Sequence, residues 1–199
     1  MTKDIAIVST TIGDGTFLDH YAKTIAKEDA RDRTSLIVIP DRKTPEALSE
    51  KADTLTDHGF DVRCPSIDEQ EAFLDGVGRM GELIPYNSDN RRNVGYLMAL
   101  DQGADVVVSV DDDNFPQPDH GWIEHHSLVG EEIQAPAVHS SNGWYNICER
   151  LEVDPVDVYP RGFPYHARHQ DPEIHETTET GTVHANAGLW LGQIGRAHV

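Results

Sequence analysis

Short apolar blocks recur along the first half of this chain, separated by longer amphipathic stretches, and the alternation has the rhythm of an α/β sheet. Residues 4–11 (DIAIVSTT) read as a buried strand, followed by a loop holding Gly13 and Gly15 and a helix over 17–27. Residues 35–40 (SLIVIP) predict a second strand. Thr44-Pro45 is a cap and first-turn pair, opening a helix that Gly59 closes. A third strand is expected over 60–64. The run Ser66-Ile67-Asp68-Glu69 then carries the capping-box pattern and starts another helix. Ser88 caps a helix running to about Gln102, with Gly103 as its stop. Residues 106–110 (VVVSV) follow at once, and their β-branched run predicts a central strand. Strands alternating with helices imply an α/β fold with a mostly parallel sheet and right-handed crossovers.

The pattern loosens after Asn114, where prolines stand at 116, 118, 136, 155, 160, 164 and 172. Strand-like pieces return at 134–139 and 182–191. Loops of this half are expected to carry the acceptor side of a site laid over the sheet. The whole of 1–192 reads as a single domain. The last seven residues, Gln193-Ile194-Gly195-Arg196-Ala197-His198-Val199, are the translation of a common sequencing adapter (CAG ATC GGA AGA GCA CAC GTC). The expectation is a non-native tail on a gene that continues past Gly192, so the domain is truncated at its C-terminus.

Composition narrows the classes. Hydrophobic residues make up 38% and charged residues 26%, as in soluble globular proteins. No run of eighteen apolar residues occurs and Met1-Thr2-Lys3-Asp4 leads directly into a strand, which predicts a cytoplasmic protein with no membrane span. Cys64 and Cys148 lack metal-ligand spacing and are expected to be reduced. The net charge of −19 leaves no basic patch, which argues against nucleic acid as a partner. Carboxylates outnumber Lys plus Arg by 35 to 16, a balance suited to a salt-adapted cytoplasm.

Candidate chemistry centres on Asp111-Asp112-Asp113-Asn114, directly after the valine run. Three adjacent carboxylates repel one another and favour a cation. Hard Mn²⁺ or Mg²⁺ takes oxygen ligands, with one or two carboxylates completed by substrate phosphates. On an extended chain Asp111 and Asp113 share a side, with Asp113 the direct metal ligand and Asp111 its partner at the metal or the substrate. The alternative is a solvated acidic turn. Arg161 and Arg168 flank a segment broken by Gly162 and Pro164, and guanidinium groups clamp phosphates bidentately. Arg91 and Arg92 sit near a helix start, against the dipole, so Arg92 is a candidate substrate contact. Asp41 follows the second strand, and Thr10, Thr11 and Gly13 lie beyond the first. His120, His125 and His126 cluster after the acidic run as candidate zinc ligands. His184 stands near the last expected strand as a metal or sugar contact or an ordinary polar residue, and Trp122, Trp144 and Trp190 are stacking or core residues.

Three pieces in register resemble one family. They are Arg92-Asn93-Val94-Gly95-Tyr96 leading to Val110-Asp111-Asp112-Asp113-Asn114-Phe115, then Tyr159-Pro160-Arg161-Gly162-Phe163-Pro164-Tyr165-His166-Ala167-Arg168, then Ala187-Gly188-Leu189-Trp190-Leu191. In order and spacing they are similar to the reversibly glycosylated polypeptides, the UDP-arabinopyranose mutase family. Asn114 stands where that family has Cys, and Tyr165-His166-Ala167 where it has Phe-Ser-Leu. The resemblance implies a GT-A type nucleotide-sugar fold with Asp111 and Asp113 in an Asp-x-Asp metal motif. It also implies Arg161 in reversible sugar attachment, Arg168 in activity, and Thr10, Thr11 and Asp41 near a uridine nucleotide. The expected function is a metal-dependent nucleotide-sugar enzyme, a UDP-sugar mutase or a glycosyltransferase, that assembles as a homo- or hetero-oligomer. The alternatives are a non-catalytic nucleotide-sugar-binding or assembly subunit, and a phosphotransfer protein. The latter lacks its phosphate-cradling Gly-Lys-Ser/Thr here.

Overall fold

The computed structural model describes residues 3–116, 121–150 and 158–187. The chain forms two compact units, 1–127 and 128–199.

The first unit is built on a four-stranded, all-parallel sheet in the order β3-β2-β1-β4. Its elements run β1 (Ile5–Thr11), α1 (Leu18–Lys27), β2 (Thr34–Pro40), α2 (Ala47–Asp57), β3 (Asp61–Arg63), α3 (Ile67–Asp75), α4 (Met80–Leu83), α5 (Arg92–Asp101), β4 (Val106–Ser109) and α6 (Trp122–Ser127). β1 and β2 are buried on both faces, which explains why their sequences are continuously apolar instead of alternating. Ala6, Val8, Ile37 and Ile39 face Val94, Met98 and Ala99 of α5, with Leu74 and Ile84 completing that core. Ile5, Ile7, Leu36 and Val38 point to the opposite face and are equally buried.

Local signals resolve the helix ends. Ser66 and Glu69 form the full capping box at α3. Ser88 Oγ accepts from Asn90 N (3.2 Å) and opens a one-turn 3-10 helix that runs into α5. Gly59 and Gly103 close helices with φ of 81° each. At α6, the Glu28 carboxylate supplies the cap from a distance, accepting from the amides of Trp122 (2.7 Å) and Ile123 (2.9 Å).

Four expectations change. The valine strand is an edge strand of the described sheet, not a central one. β1 holds the centre, and β4 alternates buried Val106 and Val108 with half-buried Val107 and exposed Ser109. Thr44 does not cap α2, whose N-cap is Glu46. Its hydroxyl accepts from Asp41 N (2.8 Å) and donates to the Thr11 carbonyl (2.7 Å), tying two strand ends together. The one-turn α4 had no counterpart in the pattern. In the second unit, β5 (Glu132–Ser140) pairs antiparallel with β6 (Ile174–Thr182), with His139 opposite His175. The expected strand at 182–191 therefore lies earlier. Residues 183–187 are not in a strand, and 188–191 fall outside the described residues, as does the tail. β6 is exposed at every position and rich in Thr and Glu, so no apolar period marks it. Among the described residues no helix is long and apolar enough to cross a membrane.

Candidate functional site

In a parallel sheet the carboxyl ends of all strands open on one edge. The chain lays β2 and β3 to one side of β1 and then returns to place β4 on the other side. The order therefore reverses between β1 and β4, the crevice where such sheets take their ligands. Thr11 ends β1 and the Asp111–Asp113 segment follows β4, so both reach this crevice.

They meet across it. Thr11 Oγ1 donates to Asp112 Oδ2 and accepts from the Gly13 amide at 2.8 Å. A Cβ on Gly13 would stand 3.2 Å from Thr11 Oγ1 and 3.8 Å from Asp112 Oδ2, so glycine lets the loop fold down onto this pair. Beyond Val110 the strand turns, with Asn114 N donating to the Asp111 carbonyl at 3.2 Å. Simple extended-chain alternation thus does not describe the three aspartates. Asp111 and Asp113 are exposed, while Asp112 leans on Thr11. Asp113 accepts a 3.2 Å bond from Asn114 Nδ2. Tyr21 fixes the turn from below, donating to the Asn114 carbonyl at 2.7 Å. Burial first, then the charges of Asp111 and Asp113, push its phenol well above the ordinary tyrosine range.

Helix α5 brings the cations. Arg92 Nη2 donates to Asp111 Oδ1, and Nη1 donates to Ser109 Oγ at 3.3 Å. Tyr96, one turn along, shares a 2.5 Å hydrogen bond with the same Ser109 hydroxyl. Burial pulls the Arg92 guanidinium down, but its hydrogen bond to Asp111 and that carboxylate's charge outweigh burial and raise it. Its Nε is buried and has no hydrogen-bond partner. Arg91 turns the other way and is 1% exposed. Its Nε donates to Gln70 Oε1 at 2.9 Å, while its Nη2 is unpartnered. The guanidinium carbons of Arg42 and Arg91 lie 3.8 and 4.0 Å from the Tyr86 ring centroid, so one ring meets two cations.

The remaining first-unit candidates are tied into this edge. Thr10 Oγ1 donates to the Ile39 carbonyl at 2.9 Å, so that hydroxyl is spent between β1 and β2. Asp41 is 5% exposed, and its carboxylate accepts from the amides of Arg42 (2.7 Å) and Asn87 (2.5 Å). The carboxylate thus joins the end of β2 to the loop ahead of α5. Asp112, Ser109, Tyr96, Tyr86 and Arg91 are the members that residue patterns alone did not place in the site. The adjacent arginines were the one available signal.

Arg161 and Arg168 belong to the second unit. Arg161 is exposed in a turn completed by Gly162, whose φ is 88°. Arg168 lies on a one-turn 3-10 helix, Tyr165–His169, with its guanidinium 4.2 Å from the Tyr165 centroid and 5.0 Å from that of Tyr159. Its Nε is buried without a partner. Trp144 meets Phe163 edge-on at 6.3 Å. In the first unit Trp122 packs against Tyr21 and His126, and burial, then His125, lowers the His126 pKa. His184 is exposed, and His120 and Trp190 lie outside the described residues. Cys64 and Cys148 are free, and burial, then Asp53 and Glu69, pushes the Cys64 thiol up to about 11.

No protein-family model matches the chain, and no curated protein matches it.

Among the described residues no three His, Cys, Asp or Glu side chains gather as ligands for one metal ion. The donor set suits a hard cation that brings its remaining oxygens with it. Among the described residues the Asp113 carboxylate meets only the neighbouring Asn114 amide, and Asp112 has one oxygen on Thr11. One or two carboxylates are what Mg²⁺ or Mn²⁺ takes from a protein when substrate phosphates complete the shell.

Proposed function

We propose that this protein is a metal-dependent nucleotide-sugar enzyme of GT-A type, a UDP-sugar mutase or a glycosyltransferase. The observation that carries the proposal is the acidic turn 111–114 at the β1/β4 switch point, with Thr11 on Asp112 and Arg92 on Asp111. Asp113 would hold Mn²⁺ or Mg²⁺, with Asp111 as its partner once Arg92 has moved off it. When bound, the cation supplies Lewis-acid stabilisation of the charge that builds on a diphosphate leaving group. Arg92 offers a guanidinium to the same oxyanions, and the β1 and β2 ends, through Thr11 and Asp41, shape the nucleoside side of the crevice. Arg161 and Arg168, from the segment that resembles the mutase family, are assigned to the sugar, Arg161 in covalent attachment and Arg168 in turnover. A homo- or hetero-oligomer in the cytoplasm belongs to the same proposal.

The test is a panel of nucleotide sugars against the protein in high salt with Mn²⁺, comparing wild type with Asp113→Ala. Wild type is expected to bind a UDP-sugar only with metal present, and Asp113→Ala to lose that binding while keeping its circular dichroism. Unchanged calorimetric affinity in the variant rejects the site. Binding without turnover of any sugar moves the assignment to a non-catalytic nucleotide-sugar-binding or assembly subunit.

A further inference from the structure

We propose that Arg92 is the resident counter-cation of the acidic turn, and that a divalent cation reaches Asp111 only by exchange with it. This rests on the metal-and-nucleotide assignment above and concerns how that site is controlled.

Three carboxylates in one turn repel one another, and each must find a hydrogen-bond donor, a cation or water. Asp112 is served by the Thr11 hydroxyl and Asp113 by the Asn114 amide, both neutral donors. Among the described residues only Asp111 of the three is paired with a full positive charge. Arg92 is held for that purpose from behind. Tyr96 bonds Ser109, and Ser109 Oγ in turn accepts from Arg92 Nη1, so the guanidinium is braced between the end of β4 and the face of α5. The Arg92 side chain is 18% exposed, while that of Asp111 is 58% exposed. The cation is therefore the fixed partner and the carboxylate the accessible one.

The pair is also incomplete. The Arg92 Nε is buried and unpartnered, so its fork is not matched to a carboxylate on two parallel bonds. A phosphate oxyanion offers more acceptor oxygens than Asp111 alone does. A metal at Asp111 and a guanidinium at Asp111 exclude each other by charge and by lone-pair use. Metal binding without nucleotide must then displace Arg92, which has no other carboxylate partner among the described residues. A diphosphate arriving with the metal accepts the displaced guanidinium, so the two ligands favour each other's binding through one side chain. Ser109 and Tyr96 are positioning residues in this exchange, because they act only through Arg92.

The experiment titrates Mn²⁺ alone, and Mn²⁺ in saturating UDP, into the full chain by calorimetry and electron paramagnetic resonance. It compares wild type, Arg92→Ala, Asp111→Ala and the double variant, each checked by circular dichroism. Arg92→Ala is expected to bind Mn²⁺ alone roughly tenfold more tightly than wild type, an effect of about 1.4 kcal/mol. The gain is expected to vanish in the Asp111→Ala background, as a double-mutant cycle requires of a direct pair. UDP is expected to tighten Mn²⁺ in wild type and to do so several-fold less in Arg92→Ala. Tyr96→Phe, which keeps the ring and removes the tether, is expected to move Mn²⁺ affinity the same way by a smaller factor. Equal or weaker Mn²⁺ binding by Arg92→Ala, with wild-type binding intact, overturns the exchange while leaving the metal site standing. An equal gain in both backgrounds overturns it too, because the effect is then general charge. Failure of every protein to bind Mn²⁺, with or without UDP, removes the metal site itself and the exchange with it.

Discussion

Replacing Gly95 by alanine tests whether α5 is seated on the sheet as closely as the structure places it. A Cβ at Gly95 would stand 2.5 Å from Val8 Cγ1 and 3.1 Å from Ile39 Cγ1. Neither contact is to the tip of a flexible side chain. Val8 and Ile39 are fully buried β-branched residues on neighbouring strands, and their χ1 freedom is small. Accommodating the methyl therefore means shifting the helix or a strand, and overpacking of this kind costs roughly 1–3 kcal/mol. Alanine returns up to about 1 kcal/mol through helix propensity. The expected net loss is about 1 kcal/mol, a fall of roughly 2–4 °C in Tm for a chain of this size. Val8→Ala removes the obstructing methyls. It lowers stability by itself, through a cavity, but in that background Gly95→Ala should become neutral or stabilising. Urea unfolding of the four proteins reads the coupling. A Gly95→Ala protein more stable than wild type, with no coupling to Val8, would refute the close seating of α5.

Two further outcomes follow from the same edge of the sheet. Gln70 is fully buried and its amide serves three partners at once, donating to the Pro40 and Pro65 carbonyls (3.0 Å each) and accepting from Arg91 Nε. Gln70→Leu keeps the volume but strands those groups beside an Arg91 that already has an unpartnered nitrogen, and the expected cost is roughly 3 kcal/mol at ~1–3 kcal/mol per buried orphan. A loss below 1 kcal/mol in urea unfolding contradicts that accounting. The Ser66 hydroxyl, then the Ser66 amide, hold the Glu69 carboxyl below the ordinary glutamate range. A depressed folded-state pKa adds stability above the unfolded value of about 4.3, and the contribution is lost as pH falls through the folded value. Wild type should therefore lead Glu69→Gln at neutral pH and lose that lead as pH falls from the unfolded value through the depressed folded one; a constant gap from pH 7 to 3 rejects the capping assignment.

What was legible in the residues was local or continuous. The capping box at Ser66 and Glu69 is complete within four residues, and β1 and β2 declare themselves because both faces are buried. Glycines 59 and 103 mark helix ends by a backbone conformation that other residues adopt at a cost. The position of β4 was not legible, since a β-branched run fits any half-buried pleat and says nothing about which neighbour it acquires. β6 hid for the opposite reason: Thr-Thr-Glu-Thr has strand propensity but no apolar face to set a period. At the site, Asp111 and Asp113 were evident as charges. The part of Asp112 was not, because it depends on a turn and on Thr11, 101 positions away. Thr44 likewise exchanges a local capping role for bonds between strand ends, and Asp41 ties the end of β2 to the loop ahead of α5, neither of which composition reveals.

The two arginines at the start of α5 make sense only together with that edge. Arg91 is the N-cap position of the helix and Arg92 its first residue, where the dipole disfavours a cation by about 0.3–1 kcal/mol apiece. Each recovers that cost in a different direction, Arg91 against Gln70 and the Tyr86 ring, Arg92 against Asp111. In the proposed site an acidic turn on a chain of net charge −19 repels a diphosphate, and positive charge stationed beside the carboxylates offsets that repulsion. The start of α5 stations it there, and the closeness of the helix at Gly95 determines how far Arg92 can reach toward Ser109 and Asp111. On the proposed nucleotide assignment, a methyl at Gly95 that lifts α5 by a few tenths of an ångström is expected to weaken UDP binding as well as folding. The loss of affinity should track the Val8 background as stability does, because both come from the same displacement.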